Sequence, residues 1–337
     1  MEATKTYKWG MIGCGSVTQL KSAPAYQKTE RFELYAVMRR DVAKAQDYAK
    51  RHNVPHVFSN ADELINHPEI DAIYIATPPD SHEYYALKVA EAGKICCIEK
   101  PMAPSFEACL RINAAFEARN LPLFVAYYRR SLPRFLQLKT WIDQKKIGDI
   151  RHIHWHFGKP ANDIDKSKTY NWRTDATIAP GGYFDDLASH GLDLFAFLLG
   201  NISEAKGTAI NKLGLYSAKD YITGNWKHHS GITGFGTWNF GADQREDVVK
   251  IYGNEGNISF SVFGDAPIIL ERDNESQHLN IPHPEHVQWY HVQNMKMHLD
   301  GDGLHPSTGA SAAQTAWVMD SILENKIEIK KNKYKKE

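Results

Sequence analysis

The chain has 337 residues, with 40 Lys plus Arg against 40 Asp plus Glu, so it carries no formal net charge. No basic stripe with interleaved aromatics stands out, which argues against a nucleic-acid partner, and no apolar run is long enough to span a membrane. The length and a hydrophobic content of 42% predict two packed domains.

The N-terminus lacks an apolar run of signal-peptide type, since Tyr7-Lys8-Trp9-Gly10 leads directly into a strand. The cysteines Cys14, Cys96, Cys97 and Cys109 form no C-x-x-C pair. This pattern suits a reduced, cytoplasmic protein.

Residues 8–13 predict the first strand, followed at once by Gly13-Cys14-Gly15-Ser16-Val17-Thr18 and a helix from about Thr18. The first glycine allows a tight turn, and the second lets backbone approach a pyrophosphate. Ser16 and Val17 complete this candidate cofactor turn. Thr18 stands where the full fingerprint has a third glycine. The next strand, 32–38, ends in Arg39-Arg40 rather than in the acidic residue that holds an NAD ribose. Two guanidiniums there suit a 2′-phosphate, so NADP(H) is the preferred cofactor and NAD(H) the alternative.

Asp41 is a candidate N-cap for a helix over 41–52. A short strand near Val57-Phe58 and a helix at 61–66 follow. The strand at 71–77 ends in Thr77-Pro78-Pro79, whose prolines fix a turn toward the cofactor side. His82 opens a helix over 82–92, either as a nicotinamide-ribose contact or as a structural residue at the helix start.

Residues 95–99 form an apolar run closed by Glu99, Lys100 and Pro101. Such a run reads as a strand buried on both faces, with Cys96 and Cys97 on opposite sides. Ligands of open parallel sheets bind at the carboxyl ends of strands, which puts Lys100 at the candidate active centre. The βαβ rhythm predicts a doubly wound, dinucleotide-binding Rossmann domain over 1–125.

A last strand of that domain is expected at 123–130, with Ser131 capping a helix that runs to about Lys146. The strand at 150–157 places His152, His154 and His156 on one face. They span about 13 Å at the usual strand rise, too far apart for one zinc, and no metal is expected.

Residues 183–199 predict a buried helix in which Asp186, His190 and Asp193 line one face. Such a polar line needs partners or a cavity. Strands at 205–210, 232–240, 247–253, 256–263 and 267–271, with a hairpin at Gly253-Asn254-Glu255-Gly256, give an open, mainly antiparallel sheet. This makes 126–325 an α+β domain for substrate binding and oligomerisation. A helix near 308–325 follows, capped by Ser307, and a basic tail runs over 326–337.

The glycine turn, Ala76-Thr77-Pro78-Pro79 with His82, Glu99-Lys100-Pro101, Tyr127-Tyr128-Arg129-Arg130, Asn171-Trp172-Arg173, and Gly181-Gly182 leading to Asp186-x-x-x-His190 stand in order. In this, the sequence resembles the Gfo/Idh/MocA family of NAD(P)-dependent sugar and polyol oxidoreductases. The resemblance runs from about residue 8 to 325. It departs from the family pattern at Tyr183, where a glycine is frequent, and at Arg39, where many members carry Asp.

The resemblance implies catalytic roles for Lys100, Asp186 and His190, and cofactor contacts at Thr77, Pro78, Glu99, Trp172 and Arg173. Substrate contacts are expected from Lys100, Tyr128, Arg129, Asp186, His190 and Asp193. In this reading His190 takes the alcohol proton, Asp186 fixes its tautomer, and Lys100 stabilises the substrate oxygen. Tyr183 or Tyr128 is the fallback acid of a dihydrodiol-type enzyme. A catalytically silent NADP-binding regulator and a Rossmann methyltransferase are the other readings. The resemblance implies a small sugar or polyol as substrate, and the open sheet face is the expected surface of a homodimer or homotetramer.

Overall fold

The structure, a computed structural model, describes residues 5–324; the predicted basic tail lies outside them. Six parallel strands make the first sheet: β1 (Tyr7–Ile12), β2 (Phe32–Met38), β3 (His56–Phe58), β4 (Ala72–Ile75), β5 (Ile95–Ile98) and β6 (Leu123–Val125), in the order β3-β2-β1-β4-β5-β6. Helices α1 (Ala23–Lys28), α2 (Val42–His52), α3 (Ala61–Ile65), α4 (His82–Glu91) and α5 (Phe106–Glu117) alternate with them. Their apolar faces cover both sides of the sheet. Trp9, Met11, Tyr74 and Cys97 enter one core; Ile12, Ile73, Ile75 and Cys96 enter the other.

Asp41 caps α2 by accepting from the Lys44 N–H. The predicted helix from Thr18 starts instead as a wide π turn over Thr18–Ser22. Pro24 has no N–H to return to the Leu20 carbonyl, and His286 Nδ1 lies 2.8 Å from that oxygen instead.

The second sheet has eight strands: β7 (Ile150–Gly158), β8 (Ile202–Ile210), β9 (Tyr221–His228), β10 (Thr233–Asn239), β11 (Glu246–Gly253), β12 (Gly256–Phe260), β13 (Ile268–Arg272) and β14 (Glu275–Leu279). All neighbours pair antiparallel except β7 with β10. Helices α6 (Pro133–Asp143), α7 (Asp163–Lys166) and α8 (Ser189–Leu199) lie between β6 and β8, and α9 (Trp289–Asp300) and α10 (Gly309–Leu323) follow β14. Helix α8 packs Phe195 edge-on against Trp155 of β7.

The last two helices join the halves. Val292 and Met295 of α9 enter the first sheet's core. Helix α10 puts Ala312, Ala313 and Ala316 there too, while Val318, Met319 and Ile322 enter the core of the second. The two halves are therefore joined by packed helices rather than by a free linker.

Several boundaries differ from those predicted. The strand expected over 123–130 ends at Val125, and Tyr128–Ser131 is a 3₁₀ turn. The Tyr127 N–H turns back onto the Val125 carbonyl and stops the pairing. Ser131 does not cap α6; Leu132 holds that place, with Pro133 in the first turn. Thr308 rather than Ser307 caps α10, because the Ser307 hydroxyl donates to the Val125 carbonyl. Among the described residues no helix is long and apolar enough to cross a membrane.

Candidate active site

The glycine turn after β1 is shaped by contacts on one side and by open space on the other. Gly13 sits at φ +94°, and a Cβ there would stand 2.8 Å from the Ala76 carbonyl at the end of β4. No other residue fits that approach. Gly15 has no such constraint: a Cβ would meet only the Gly13 oxygen, at 4.0 Å. Packing within the chain does not require a glycine at 15, whereas the close approach of a pyrophosphate does.

Gly15, Ser16, Val17 and Arg39 line one end of a cleft of about 330 Å³. Thr77, Pro78, Glu99, Lys100, Trp172, Arg173 and Asp186 line the rest. The residues present thus fit a dinucleotide. Arg39 donates to the Cys14 carbonyl at 3.2 Å and so stays at the turn. Arg40 is exposed outside the cleft.

Lys100 leaves the end of β5 toward the other half of the molecule. Its Nζ donates to the Asp186 carbonyl at 2.7 Å and to the Asp186 carboxylate. Arg173 Nε holds the second carboxylate oxygen at 2.9 Å. Burial alone would raise the pKa of Asp186. The two cations override it and hold the carboxyl well below its ordinary range.

The expected single α-helix over 183–199 is split. Phe184–Ala188 forms a π turn, and α8 begins at Ser189. The Asp186 carbonyl, within this turn, accepts from Lys100 Nζ and the Ser189 hydroxyl. Wide turns of this kind recur at functional sites.

One consequence is that Asp186 does not bond His190, so the expected tautomer-fixing contact is absent and Asp186 anchors Lys100 and Arg173 instead. His190 is 5% exposed, and its Nδ1 is enclosed without a partner. Its ring meets Tyr127, Tyr128 and Phe263 edge-on, with centroids 6.2, 5.4 and 5.8 Å away. Burial first, then the positive charges of Arg129, Lys100 and Lys21, keep its pKa well below the ordinary histidine value.

Other expected site residues lie elsewhere. His82 is fully buried, with Nδ1 3.0 Å from the Pro101 carbonyl and Nε2 2.8 Å from the Thr77 carbonyl. It braces the two strand-end turns and does not face the cleft. Asp193, also fully buried, forms a two-pronged pair with Arg130, each N–O distance 2.8 Å. It is occupied by the fold and is not free for a substrate hydroxyl. The Tyr183 hydroxyl donates to Asp165 and accepts from Asn162 and Asn171. Burial, then the Asp165 bond, push its pKa up to about 12.

Glu99 lines the cleft but is itself held by Tyr74 and Gln288. Phe263 and Lys21 were not singled out in the sequence. Phe263 follows β12 in a loop, and no local motif marks either residue. Among the described residues no group of three His, Cys, Asp or Glu side chains gathers. The expected trio His152, His154 and His156 stays spread along β7, the first two stacked on Tyr252 and Phe235.

An oxidoreductase family with an NAD-binding Rossmann fold matches residues 7–127, and the GFO/IDH/MocA C-terminal domain matches residues 135–259. Oxidoreductase P35 of Formosa agariphila is 36% identical over 93% of this chain and 97% of its own length. Trans-1,2-dihydrobenzene-1,2-diol dehydrogenase of Bos taurus is 26% identical over 74% of this chain and 72% of its own. A solved levoglucosan dehydrogenase, in complex with NADH and levoglucosan, shares the fold with a TM-score of 0.83 at 21% identity. The match covers 94% of this chain and 96% of that one.

Proposed function

The chain belongs to the Gfo/Idh/MocA family of oxidoreductases, and we propose that it moves a hydride between a nicotinamide cofactor and a hydroxyl- or carbonyl-bearing carbon of a sugar, glycoside or polyol. The observation that carries this reading is the reach of Lys100 from β5 to Asp186, beside a glycine-cradled cleft and near an unbonded His190. Residues 1–125 bind the cofactor in this reading, and 126–325 supply the substrate side.

The nicotinamide supplies the hydride chemistry when bound. The chain's own residues do the rest. Lys100 spends two of its three N–H donors on Asp186, which leaves one for the substrate oxygen. Asp186, ionised by its two cations, fixes Lys100 and Arg173 in place. His190, whose Nδ1 has no hydrogen-bond partner, is the group assigned to accept a hydroxyl proton during oxidation and return it during reduction. Tyr128 and Phe263 restrict water around that imidazole.

NADP(H) is favoured over NAD(H), because the end of β2 offers Arg39 to the cleft and no carboxylate. The open face of the second sheet is the proposed surface between copies of the chain. It carries Phe235 at 44% and Val248 at 53% exposure beside the stacked histidines, and light scattering on the purified protein reads the copy number. The four thiols are unpaired and buried, which suits a reducing compartment such as the cytoplasm.

A second reading, a dihydrodiol-type dehydrogenase, is favoured by the bovine relative. In it Tyr128, which touches the His190 ring, is the fallback acid, since the Tyr183 hydroxyl is tied to Asp165.

The test is a panel of sugars, glycosides, polyols and one aromatic dihydrodiol with NADP and NAD, read by nicotinamide absorbance. Turnover of a sugar or polyol supports the first reading, and turnover of the dihydrodiol alone supports the second. Cofactor binding with no turnover across the panel points to a silent regulator, and a clear preference for NAD overturns the role of Arg39.

A further inference from the structure

Building on the oxidoreductase reading above, we propose that the substrate carries a carboxylate, and that Arg129 selects it. The substrate class is then a polyhydroxy acid, such as a uronate or an aldonate, rather than a neutral sugar.

Three arginines of one short segment are buried, and they differ in how they are satisfied. Arg130 places Nε and Nη2 on the Asp193 carboxylate and Nη1 on the Pro306 carbonyl. Arg134 leaves its Nε unpaired but donates through both Nη atoms, to the carbonyls of Ile281 and Ala266, and lies 3.8 Å from Asp265. Arg129, 4% exposed, uses only Nε, which donates to the Val262 carbonyl at 2.9 Å. Its Nη1 is enclosed with no partner, and among the described residues no carboxylate pairs with it. A buried guanidinium left with most of its five donors unused is costly unless a ligand completes it.

Its surroundings give that ligand's position. The Arg129 guanidinium lies over the rings of Phe263 and Tyr128, at 4.5 and 5.0 Å. The same two rings flank His190. The unpaired cation and the unbonded imidazole therefore share two aromatic walls, and a substrate with its reacting hydroxyl at His190 and Lys100 brings nearby substituents to Arg129.

The charges agree. Asp186 is shared between Lys100 and Arg173, Asp193 is consumed by Arg130, and Arg129 and Lys21 add further positive charge at His190. With Nε on the Val262 carbonyl, the guanidinium edge that carries Nη1 and Nη2 is what remains, and a planar carboxylate matches that edge with two parallel bonds.

The experiment uses the full chain loaded with cofactor and matched pairs: D-glucose with D-glucuronate, a methyl glucoside with the methyl glucuronide, and D-sorbitol with D-gluconate. A sugar phosphate is the anionic control. We expect the acid of at least one pair to exceed its neutral partner in kcat/KM by about 10- to 100-fold. Arg129→Met should remove most of that ratio, and Arg129→Lys should restore part of it. Calorimetric binding of D-glucuronate and D-gluconate against the neutral partners gives the same comparison without turnover.

Equal or better use of the neutral partner, preference for the sugar phosphate, or an acid preference that survives Arg129→Met overturns the proposal. So does failure of both acids to bind the loaded enzyme. If Arg129→Met does not fold, the wild-type ratios and Arg129→Lys still decide. Turnover of neutral sugars only would defeat this inference and leave the oxidoreductase reading intact. Failure to bind either nicotinamide cofactor would defeat both.

Discussion

Asp186 and Asp193 stand two turns apart on one segment, yet they do different work. Asp193 is sealed at 0% side-chain exposure, and Arg130 and Thr315 satisfy it. Asp186 keeps 19% exposure at the cleft, and its two cations come from opposite halves of the molecule. The same contrast separates the histidines. His305 is buried with Nδ1 2.8 Å from the Ser307 carbonyl and Nε2 3.1 Å from the His291 carbonyl, whereas His190 makes no such bond. Burial alone therefore does not mark a functional residue. The proposed function rests instead on unused donors and acceptors near the cleft, since native interiors mostly pair such groups.

The largest effect that would sharpen this contrast is at His190. His190→Ala should lower kcat by about 10²- to 10⁴-fold while costing only the ring's packing against Tyr127, Tyr128 and Phe263, about 1–3 kcal/mol of stability. Thermal unfolding and steady-state rates on the same preparation check both halves of that expectation. Asp193→Asn should do the reverse. Removing one partner of a buried pair costs about 3–5 kcal/mol of stability, read by denaturant unfolding. If Asp193→Asn were as stable as the wild type and inactive, the assignment of the two aspartates would be exchanged.

A smaller effect separates the histidines by pH. Burial, opposed by the two carbonyl bonds, lowers the His305 pKa to about 4. The unfolded chain takes up that proton near pH 6.5 and the folded chain only near 4. His305 therefore costs no stability above about pH 6.5, and stability is lost as pH falls from there toward 4. His305→Gln should flatten this part of the stability profile by about 1–3 kcal/mol, measured as unfolding free energy at both ends of the window. An unchanged slope would place the titration elsewhere. The smallest effect expected is at Arg39. Arg39→Ala should weaken NADPH binding about tenfold and leave NADH nearly unaffected, as one charge-assisted contact is worth about 1.5–3 kcal/mol at most. Titration of each cofactor checks it.

Much of the first sheet was legible because its strands are apolar on both faces. Ala72–Ile75 and Ile95–Ile98 carry no polar residue to confuse the period. Lys100 at the end of β5, the glycine turn and the Asp186/His190 segment followed from that pattern and the motif spacing. Strand β9 was not evident: its inward positions are Ile222, Gly224, Trp226 and His228, so a glycine and a histidine dilute the apolar alternation. Helix α9 buries only His291, Val292 and Met295 and leaves a weak stripe. The Tyr127-Tyr128 pair resembled strand because both are aromatic, but the turn that begins with the Tyr127 N–H is also held by partners far along the chain. Arg130 needs Asp193, and Arg129 needs the Val262 carbonyl. The π turn at Phe184–Ala188 was equally hidden, since the contact it makes, Lys100 Nζ on the Asp186 carbonyl, spans 86 positions of sequence.

The direct test of the catalytic centre is the rate of Lys100→Ala at saturating cofactor with the first sugar, sugar acid or polyol found to turn over, set beside its cofactor affinity by titration. A fall in kcat of about 10²- to 10³-fold, with cofactor affinity changed by no more than about threefold, is the result expected if Lys100 holds the substrate oxygen. Full activity in the variant, or a loss lying wholly in cofactor binding, would contradict it.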